Sequence, residues 1–277
     1  MDNKRWVKIK KSDGDIDLSE IPGLHFLEWT IPSVSTSANE LEMSGVDGVL
    51  VGENTFDPFD LELKFYFDGT DAKDLNLFSQ RLKGIVNQRK PYYVVHSDMP
   101  CFKYACNTVQ LEYEKITVAD MTFSLTFRCY KGYAESLYST KNYNKKSGYF
   151  QFENGLLATD SISYSHNVSE FNIYNGGNDR IDPHMHHKLK ISINADAPNG
   201  FKLTNSTNET VFEYKKAIKK NKTLVLDGIY ASIDKKRVGA DTNHGIIILE
   251  ENLNHFEIEG QELGEVKVSF DFNFLYR

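Results

Sequence analysis

Three closely spaced histidines are the first residues whose type and spacing could support chemistry. His184, His186 and His187 follow Pro183, where a strand is expected to begin, and two imidazoles two residues apart on a strand share one face. A complete metal shell needs further ligands, but no carboxylate or cysteine stands at a recognisable ligand spacing from these histidines. The pattern therefore favours a solvated loop, and we expect no bound metal and no cofactor.

The segment His96-Ser97-Asp98 contains the residue types of a hydrolase triad. Triad members must converge in space, whereas neighbouring side chains of an extended segment point in different directions. The nucleophile elbow G-x-S-x-G, the zinc motif H-E-x-x-H, the Walker loop and the dinucleotide motif G-x-G-x-x-G are all missing. We therefore expect no catalytic residues and no enzyme, although a glycosidase pair among the 39 Asp and Glu residues can be neither nominated nor excluded.

Carbohydrate binding is the other chemistry that the side chains suggest. Sugar sites combine an aromatic platform, which covers the apolar face of the sugar, with planar polar groups that fix the hydroxyls. Trp6 and Trp29 both lie in the first half of the chain, so tyrosine would have to substitute for tryptophan as a platform in the second half. Each such tyrosine is more often a core or edge residue than a platform. The candidates are Tyr164, Tyr174, Tyr214 and Tyr230.

The composition indicates the kind of fold that must position these residues. The chain has 277 residues, of which 40% are hydrophobic and 26% are charged, and these values are typical of a folded globular protein. Its 18 Phe and 15 Tyr residues against 7 Pro favour β-sheet. The length allows one large β domain or two ordinary domains.

Charge and cysteine content exclude several classes of protein. The net charge is −7, with −5 in residues 1–134 and −2 in the remainder, so a large cationic field for nucleic acid or for an anionic membrane is missing. No segment approaches the roughly 20 apolar residues that span a bilayer, and we expect a chain that is neither secreted nor membrane-anchored. Cys101, Cys106 and Cys129 have no zinc spacing and are expected to be reduced thiols.

The pattern of the first half of the chain predicts several strands and one helix. Apolar residues alternate with polar ones over Leu61 to Phe67, which predicts a strand with one buried face. A helical stripe follows over residues 71–88, with Asp71 as its cap. Further strands are predicted at Tyr92 to His96, around Lys103 to Tyr113, and at Met121 to Phe127.

The second half reads as many short strands separated by turns, which favours a β-sandwich or jelly roll. The fold class is therefore mainly β: a β-rich first domain with one helix, and a sandwich as the second domain. The predicted strands are Ser161 to Tyr164, Phe171 to Tyr174, Lys188 to Asn194, Gly200 to Asn205, Val211 to Tyr214, Thr223 to Ile229, Gly245 to Leu249 and Val266 to Phe274.

A polar segment divides the two halves. Residues Glu135 to Gly148 lack a periodic apolar face and lie between two strand-rich regions, as an inter-domain connection does. The predicted division is a first domain over residues 1–134, a linker over 135–148, and a second domain over 149–277.

The stretch from Thr36 to Pro58 carries glycines at 45, 48 and 52 around short apolar pairs. It is either a long projecting hairpin or an ordinary surface meander. Long ordered loops in compact domains are often functional. The sequence alone leaves both descriptions open.

The order of these features resembles a known family. The segments GVDGVLVGENTF, LELKFYFDG, DAKDLNLFSQRLKGIVNQRK, PYYVV and MTFSLTFRCYKGYAES resemble the distal tail protein (Dit) family of long-tailed siphophages and prophages, over about residues 1–135. The segments NIYNGGNDRIDPHMHHKLKISINA, NGFKLTN, VFEYKKAI and KTLVLDGIYASID resemble the galectin-like carboxy-terminal domain of the same family.

The resemblance implies a structural virion protein without catalytic residues. Family members form hexameric rings at the tail tip and join the tail-tube protein to tail-tip or baseplate proteins, and receptor-binding proteins are possible further partners. DNA passes through the channel of such a ring, and the protein is made in the bacterial host cytoplasm. The ring-building surface would be the stretch from Thr36 to Pro58 together with exposed sheet edges of the first domain. The alternatives are a carbohydrate-binding sandwich protein that contacts host cell-wall saccharide, and a glycan-degrading tail enzyme.

Overall fold

The computed structural model describes residues 5–30, 32–143 and 162–277. The chain divides into two compact units, the first formed by residues 1–135 together with Arg277 and the second by residues 136–276. The last part of the predicted linker and the start of the predicted second domain fall within residues 144–161, outside the described residues. The exact domain bounds therefore stay a prediction.

The first unit is built on one large sheet and one helix. Its strands are β1 (Val7–Lys11), β2 (Gly14–Asp17), β3 (Leu24–Trp29), β4 (Thr36–Ser37), β5 (Glu40–Glu42), β6 (Val49–Val51), β7 (Thr55–Phe56), β8 (Phe59–Asp68), β9 (Tyr92–His96), β10 (Phe102–Lys115) and β11 (Asp120–Ser136), and its helix is α1 (Ala72–Val86). The large sheet has the strand order β2-β1-β9-β10-β11-β8-β3.

The core of this sheet follows from the alternation of apolar and polar residues. β8 and β11 pair antiparallel over ten residue pairs, with Phe65 opposite Phe123 and their rings stacked at 5.1 Å. Because directly paired residues share a face, the alternating phenylalanines and leucines form one buried row. The predicted strands at Leu61 to Phe67, Tyr92 to His96 and Met121 to Phe127 are confirmed within β8, β9 and β11.

The helix α1 covers the apolar face of the sheet. Asp71 caps it by accepting the N–H groups of Lys73 and Asp74 at 2.8 Å, as its position before the helix predicts. The Phe78 ring stacks on Phe67 with 3.8 Å between ring centres. The helix ends at Val86 rather than at residue 88, because the Gln88 side-chain amide donates to backbone carbonyl groups of the last turn instead of continuing it.

The second unit contains two antiparallel sheets. Its strands are β12 (Ser165–His166), β13 (Glu170–Asn175), β14 (Leu189–Ala195), β15 (Phe201–Asn205), β16 (Thr210–Tyr214), β17 (Leu224–Asp227), β18 (Tyr230–Ile233), β19 (Lys236–Arg237), β20 (Asn252–Glu259), β21 (Val266–Phe272) and β22 (Leu275–Tyr276). One sheet has the order β12-β21-β14-β17-β18-β19 and the other has the order β13-β20-β15-β16.

The two sheets pack face to face through aromatic side chains. Phe270 of the first sheet lies 4.9 Å from Phe256 and 6.1 Å from Phe171 of the second sheet, measured between ring centres. All three residues are buried. Packing of this kind defines a β-sandwich, so the mainly β fold class is confirmed.

Two predicted strands of the second half are corrected. Gly245 to Leu249 is not a strand, because side-chain amides bind its backbone: Asn205 and Asn208 both donate to the Ile248 carbonyl, at 2.8 and 3.1 Å. The predicted strand from Thr223 to Ile229 stops at Asp227. There Gly228, with φ +59°, turns the chain into β18.

The start of the second unit also differs from expectation. Residues 162–164 are not a strand, and β12 begins at Ser165, while residue 161 lies outside the described residues. The structured chain continues past the predicted start of the linker: Glu135 and Ser136 belong to β11. Thr140 is buried, and its hydroxyl donates to the Phe270 carbonyl at 3.0 Å.

Candidate assembly surface on the first unit

The stretch from Thr36 to Pro58 forms a hairpin, which is one of the two descriptions that the sequence left open. β4 pairs with β7 at its base, and β5 pairs with β6 towards its tip. Gly45 and Gly48 both have φ +82° in the connecting turn, a conformation that glycine adopts without steric cost. We call residues 36–58 the projecting hairpin.

The projecting hairpin is exposed along almost its whole length. Every residue from 35 to 56 is exposed in the described chain, and a two-stranded ribbon gains little stability on its own in water. Exposed apolar side chains grouped in this way mark an interaction surface. They are Leu41, Met43, Val46, Val49, Leu50, Val51 and Phe56.

Apolar side chains lie on both faces of the projecting hairpin. Leu41 lies directly opposite Leu50, and such pairs project to the same face. On the other face Val49 and Val51 lie opposite glutamates 42 and 40. A partner must therefore offer apolar surface on both sides, together with donors or cations for the acidic groups. Residues 36–58 contain five acidic residues and no lysine or arginine.

The base of the projecting hairpin is fixed to the first unit. The Asp57 carboxylate accepts hydrogen bonds from the Ser35 and Ser37 hydroxyls at 3.2 and 2.9 Å. The Arg277 guanidinium lies over the Phe56 ring at 3.8 Å and donates to the Gly132 carbonyl at 2.9 Å. These contacts hold the base of the hairpin against the first unit, while the remainder of the hairpin projects from it.

A second exposed apolar site is the turn between β10 and β11. β9 pairs with β10 only from Tyr104 to Cys106, while β10 continues to Lys115. Ile116 and Val118 of the turn are exposed. A strand that extends beyond its neighbour presents backbone groups for pairing with another chain.

A largely buried ionic cluster lies near the carboxyl end of β11. The Glu135 carboxylate accepts from Lys131 Nζ at 2.7 Å and lies 3.7 Å from Lys103 Nζ. Both ammonium groups lie over the Tyr93 ring. Burial, followed by the Glu135 charge, raises the pKa of Tyr93 to about 12. The cluster thus ties β9, β10 and β11 together through Tyr93, Lys103 and Glu135.

The structure does not assemble a triad from His96, Ser97 and Asp98. His96 is fully buried among aromatic rings, with Trp29 at 4.7 Å and Tyr104 at 5.9 Å between ring centres, and neither of its nitrogens has a hydrogen-bond partner in the described chain. The Asp98 carboxylate instead pairs with Arg5 and with the Ser97 hydroxyl. Burial lowers the pKa of His96 to about 4; the Asp98 charge opposes this shift, and the Arg5 charge adds to it.

The three histidines near Pro183 have three different environments and do not form a ligand group. His184 Nδ1 lies 2.8 Å from an Asp182 carboxylate oxygen, His186 is exposed with φ 62°, and the buried His187 accepts the Asp182 N–H at 3.1 Å. Within residues 5–30, 32–143 and 162–277, no group of three or more His, Cys, Asp or Glu side chains is arranged to hold a metal. Cys101, Cys106 and Cys129 are thiols and form no disulfide with one another.

The four tyrosines proposed as sugar platforms have different environments. Tyr164 and Tyr214 are buried, and the Tyr164 hydroxyl donates to the Tyr174 carbonyl at 2.8 Å. Tyr174 is half-buried. Tyr230 is 51% exposed, and the Arg237 guanidinium lies 3.5 Å from its ring centre. The structure does not bring the four together.

Comparison with known families shows which proteins this chain is similar to. Residues 14–129 match the family model of the phage tail protein RIFT-related domain. Over these residues the chain is similar to phage tail protein domains. Its matched residues include the projecting hairpin, α1 and most of the large sheet.

Solved structures extend the likeness beyond the tail protein domain. The crystal structure of the Dit protein of phage SPP1, described as a paradigm of the hub adsorption apparatus in phages that infect Gram-positive hosts, matches with a TM-score of 0.67 at 11% identity. The match covers 98% of this chain and 99% of the SPP1 protein, so both units share its fold. The predicted resemblance to distal tail proteins is confirmed.

Two further structures match with lower scores. They are the activated baseplate of phage P2 with Ca, with a TM-score of 0.41, 13% identity and 97% coverage of both chains, and the same baseplate with Sr, with a TM-score of 0.40, 14% identity and 97% coverage of both chains. No curated protein matches this sequence. Within the described residues, no helix is both long enough and apolar enough to span a membrane.

Proposed function

We propose that this protein is a structural component of a long-tailed phage or prophage. It forms a ring hub at the distal end of the tail and joins the tail tube to the tail-tip or baseplate proteins that adsorb to the host. The main support for this proposal is the projecting hairpin, which presents seven exposed apolar side chains within the region similar to phage tail protein domains.

The projecting hairpin is the proposed contact between copies in the ring. In a closed ring each copy offers one surface and receives another, and the open part of β10 is a suitable receiving edge. Covering Leu41 and Leu50 removes apolar surface from water, which favours assembly. The preferred ring is the hexamer implied by the family resemblance.

The remaining assignments follow from this role. The protein is a virion tail component made in the bacterial host cytoplasm, and it has no enzymatic activity. Its partners are further copies of itself, the tail-tube protein and tail-tip proteins, with DNA only passing through the ring. The net charge of −5 over residues 1–134 suits a channel that must not retain DNA.

Ring formation is tested by light scattering after size-exclusion chromatography, with and without the neighbouring tail proteins. The Leu41→Ser/Leu50→Ser variant should stay monomeric or dissociate at concentrations where the unchanged protein assembles. Leu77→Ser is the matched control, because Leu77 is 71% exposed on α1 but lies outside the projecting hairpin. Equal assembly of the hairpin variant and the unchanged protein would remove the hairpin from the ring contact. A monomer under every condition would contradict the hub.

A further inference from the structure

Positive charges are concentrated on one edge of the second unit, although the chain carries a net charge of −7. Residues 215–237 contain eight lysine and arginine residues, and all eight are exposed. They lie on the loop before β17 and around β19, the outermost strand of its sheet. We call them the basic face, which consists of Lys215, Lys216, Lys219, Lys220, Lys222, Lys235, Lys236 and Arg237.

Two contacts hold both parts of the basic face side by side. The Lys215 backbone N–H donates to the Asp241 carbonyl at 2.9 Å. At the other end of the loop, the Lys222 ammonium forms an ion pair with the Asp234 carboxylate in the turn between β18 and β19. Because Leu224 pairs with Ile233, the loop before β17 and the turn between β18 and β19 lie at the same end of this sheet. The two groups of lysines therefore face the same end of the second unit, where their fields add.

Few carboxylates neutralise the basic face. Lys222 pairs with Asp234, and Lys220 Nζ lies 3.6 Å from a Glu265 carboxylate oxygen. Like charges collected on one surface repel each other and raise the local concentration of anions. Five lysines have no carboxylate of the described residues within ion-pair distance: Lys215, Lys216, Lys219, Lys235 and Lys236.

The predominance of lysine indicates the class of partner. Lysine is depleted in protein interfaces, and arginine is the usual residue for bidentate contacts to duplex bases and phosphates. Single-stranded nucleic acids need free aromatic faces for base stacking, but Arg237 already lies over the Tyr230 ring. Lysine ammonium groups act as point charges on flexible stems, which suits phosphates whose positions vary along a flexible chain.

We propose that the basic face binds a flexible polymer of repeated phosphodiester groups without bases, such as poly(glycerol phosphate). The unpaired lysines contact successive phosphates, and the release of condensed counterions drives binding. This activity is separate from the ring hub, because the basic face lies entirely in the second unit and the projecting hairpin in the first. In the assembled tail, the second unit would bind the anionic polymer and the first unit would make the contacts between copies.

The test measures binding of fluorescently labelled poly(glycerol phosphate) to the full chain by anisotropy at several salt concentrations. The K216Q/K219Q/K235Q/K236Q variant should bind about tenfold more weakly or worse, with a shallower dependence of log K on log salt, because fewer phosphates are neutralised. Circular dichroism and thermal unfolding check that the variant is folded. If it is not, the K219Q/K236Q pair replaces it, with a smaller loss in the same direction.

The matched control removes the same number of charges from the first unit. The K73Q/R81Q/R89Q/K90Q variant changes four exposed residues that lie outside both proposed ring contacts and should bind within about twofold of the unchanged protein. An equal loss in both variants would show that only net charge matters. Failure of the unchanged protein to bind would also overturn the proposal. Duplex DNA and polyglutamate represent a nucleic acid and an acidic protein partner. If either binds as tightly as poly(glycerol phosphate), the proposal is overturned.

Discussion

The guanidinium carbon of Arg277 lies 3.8 Å from the centre of the Phe56 ring. The same side chain donates to the Gly132 carbonyl at 2.9 Å and lies 5.2 Å from the Tyr133 ring. Arg277 belongs to the first unit although it is far from that unit in sequence. One side chain thus connects the base of the projecting hairpin to β11.

Removing this side chain should loosen the projecting hairpin. Arg277→Ala is expected to cost about 1–2 kcal/mol at the hairpin base, through loss of the cation–π contact and of a hydrogen bond. Hydrogen exchange measured by mass spectrometry should then be faster over residues 36–57. Arg237→Ala is the control, because it removes a similar contact from Tyr230 in the second unit. Equal exchange in the hairpin of both variants would contradict the role of Arg277.

Two glycines of the first unit should respond to alanine with opposite signs. Gly132 has φ +70°, and a Cβ added there would lie 2.9 Å from the Asp57 carbonyl oxygen and 3.0 Å from that of Phe56. Gly132→Ala should lower the free energy of unfolding by about 1–3 kcal/mol. Gly84 lies within α1, and apart from its chain neighbours and the backbone of its own helix, no described residue has an atom within 4 Å of an added Cβ. Gly84→Ala should therefore raise the free energy of unfolding by about 0.5–1 kcal/mol. Urea denaturation measures both, and a loss of stability in Gly84→Ala would contradict this account.

His96 should make the first unit sensitive to mild acid. In the unfolded chain a histidine binds a proton below about pH 6.5, but burial lowers the pKa of His96 to about 4 in the fold. The unfolded state therefore binds more protons between these values, and stability falls as the pH drops through this window. The full contribution is about 3 kcal/mol.

The His96→Phe variant tests this contribution, because it keeps an aromatic ring among the same neighbours without a titrating group. The free energy of unfolding, measured from about pH 7 to about pH 4, should fall less in the variant than in the unchanged protein. All carboxylates are common to both proteins, so the difference isolates His96. Parallel curves would contradict the prediction.

The buried carboxylate of Glu135 should matter more than an exposed one. Glu135→Gln leaves the half-buried Lys131 ammonium without its 2.7 Å partner, at a cost of about 1–3 kcal/mol in the free energy of unfolding. Glu28→Gln breaks the exposed pair with Lys64 and should leave stability unchanged, because solvent screens such pairs. Thermal and urea unfolding compare the two. Similar losses would indicate that burial does not decide the effect.

Local periodicity made much of the fold predictable. The alternation in β8 and β11 and the helical stripe of α1 are properties of neighbouring residues, so sequence alone identifies them. The sequence does not predict the strand β20, because the first buried position of its inner face is the polar Asn254, which leaves only Phe256 and Ile258 to show the alternation. The buried amide is satisfied by donating to the Glu250 carbonyl at 2.9 Å, a partner that only the folded chain provides.

The candidate site was predictable only as a segment. Its glycines and apolar pairs mark residues 36–58 as unusual, but the sequence does not distinguish a projecting hairpin from a surface meander. Pairing of Leu41 with Leu50 settled the choice, since cross-strand register depends on which residues meet rather than on either strand alone.

The order of residues along the chain is enough to predict the mainly β class, the single helix of the first half and the resemblance to phage distal tail proteins. These depend on short-range patterns and on the order of segments along the chain. The folded structure was needed to show that Arg277 lies on Phe56, that His96 is enclosed with no hydrogen-bond partner among the described residues, and that residues 215–222 and 235–237 form one basic face. Each of these joins residues distant in sequence, and such contacts exist only after the chain has folded and fixed which side chains are buried together.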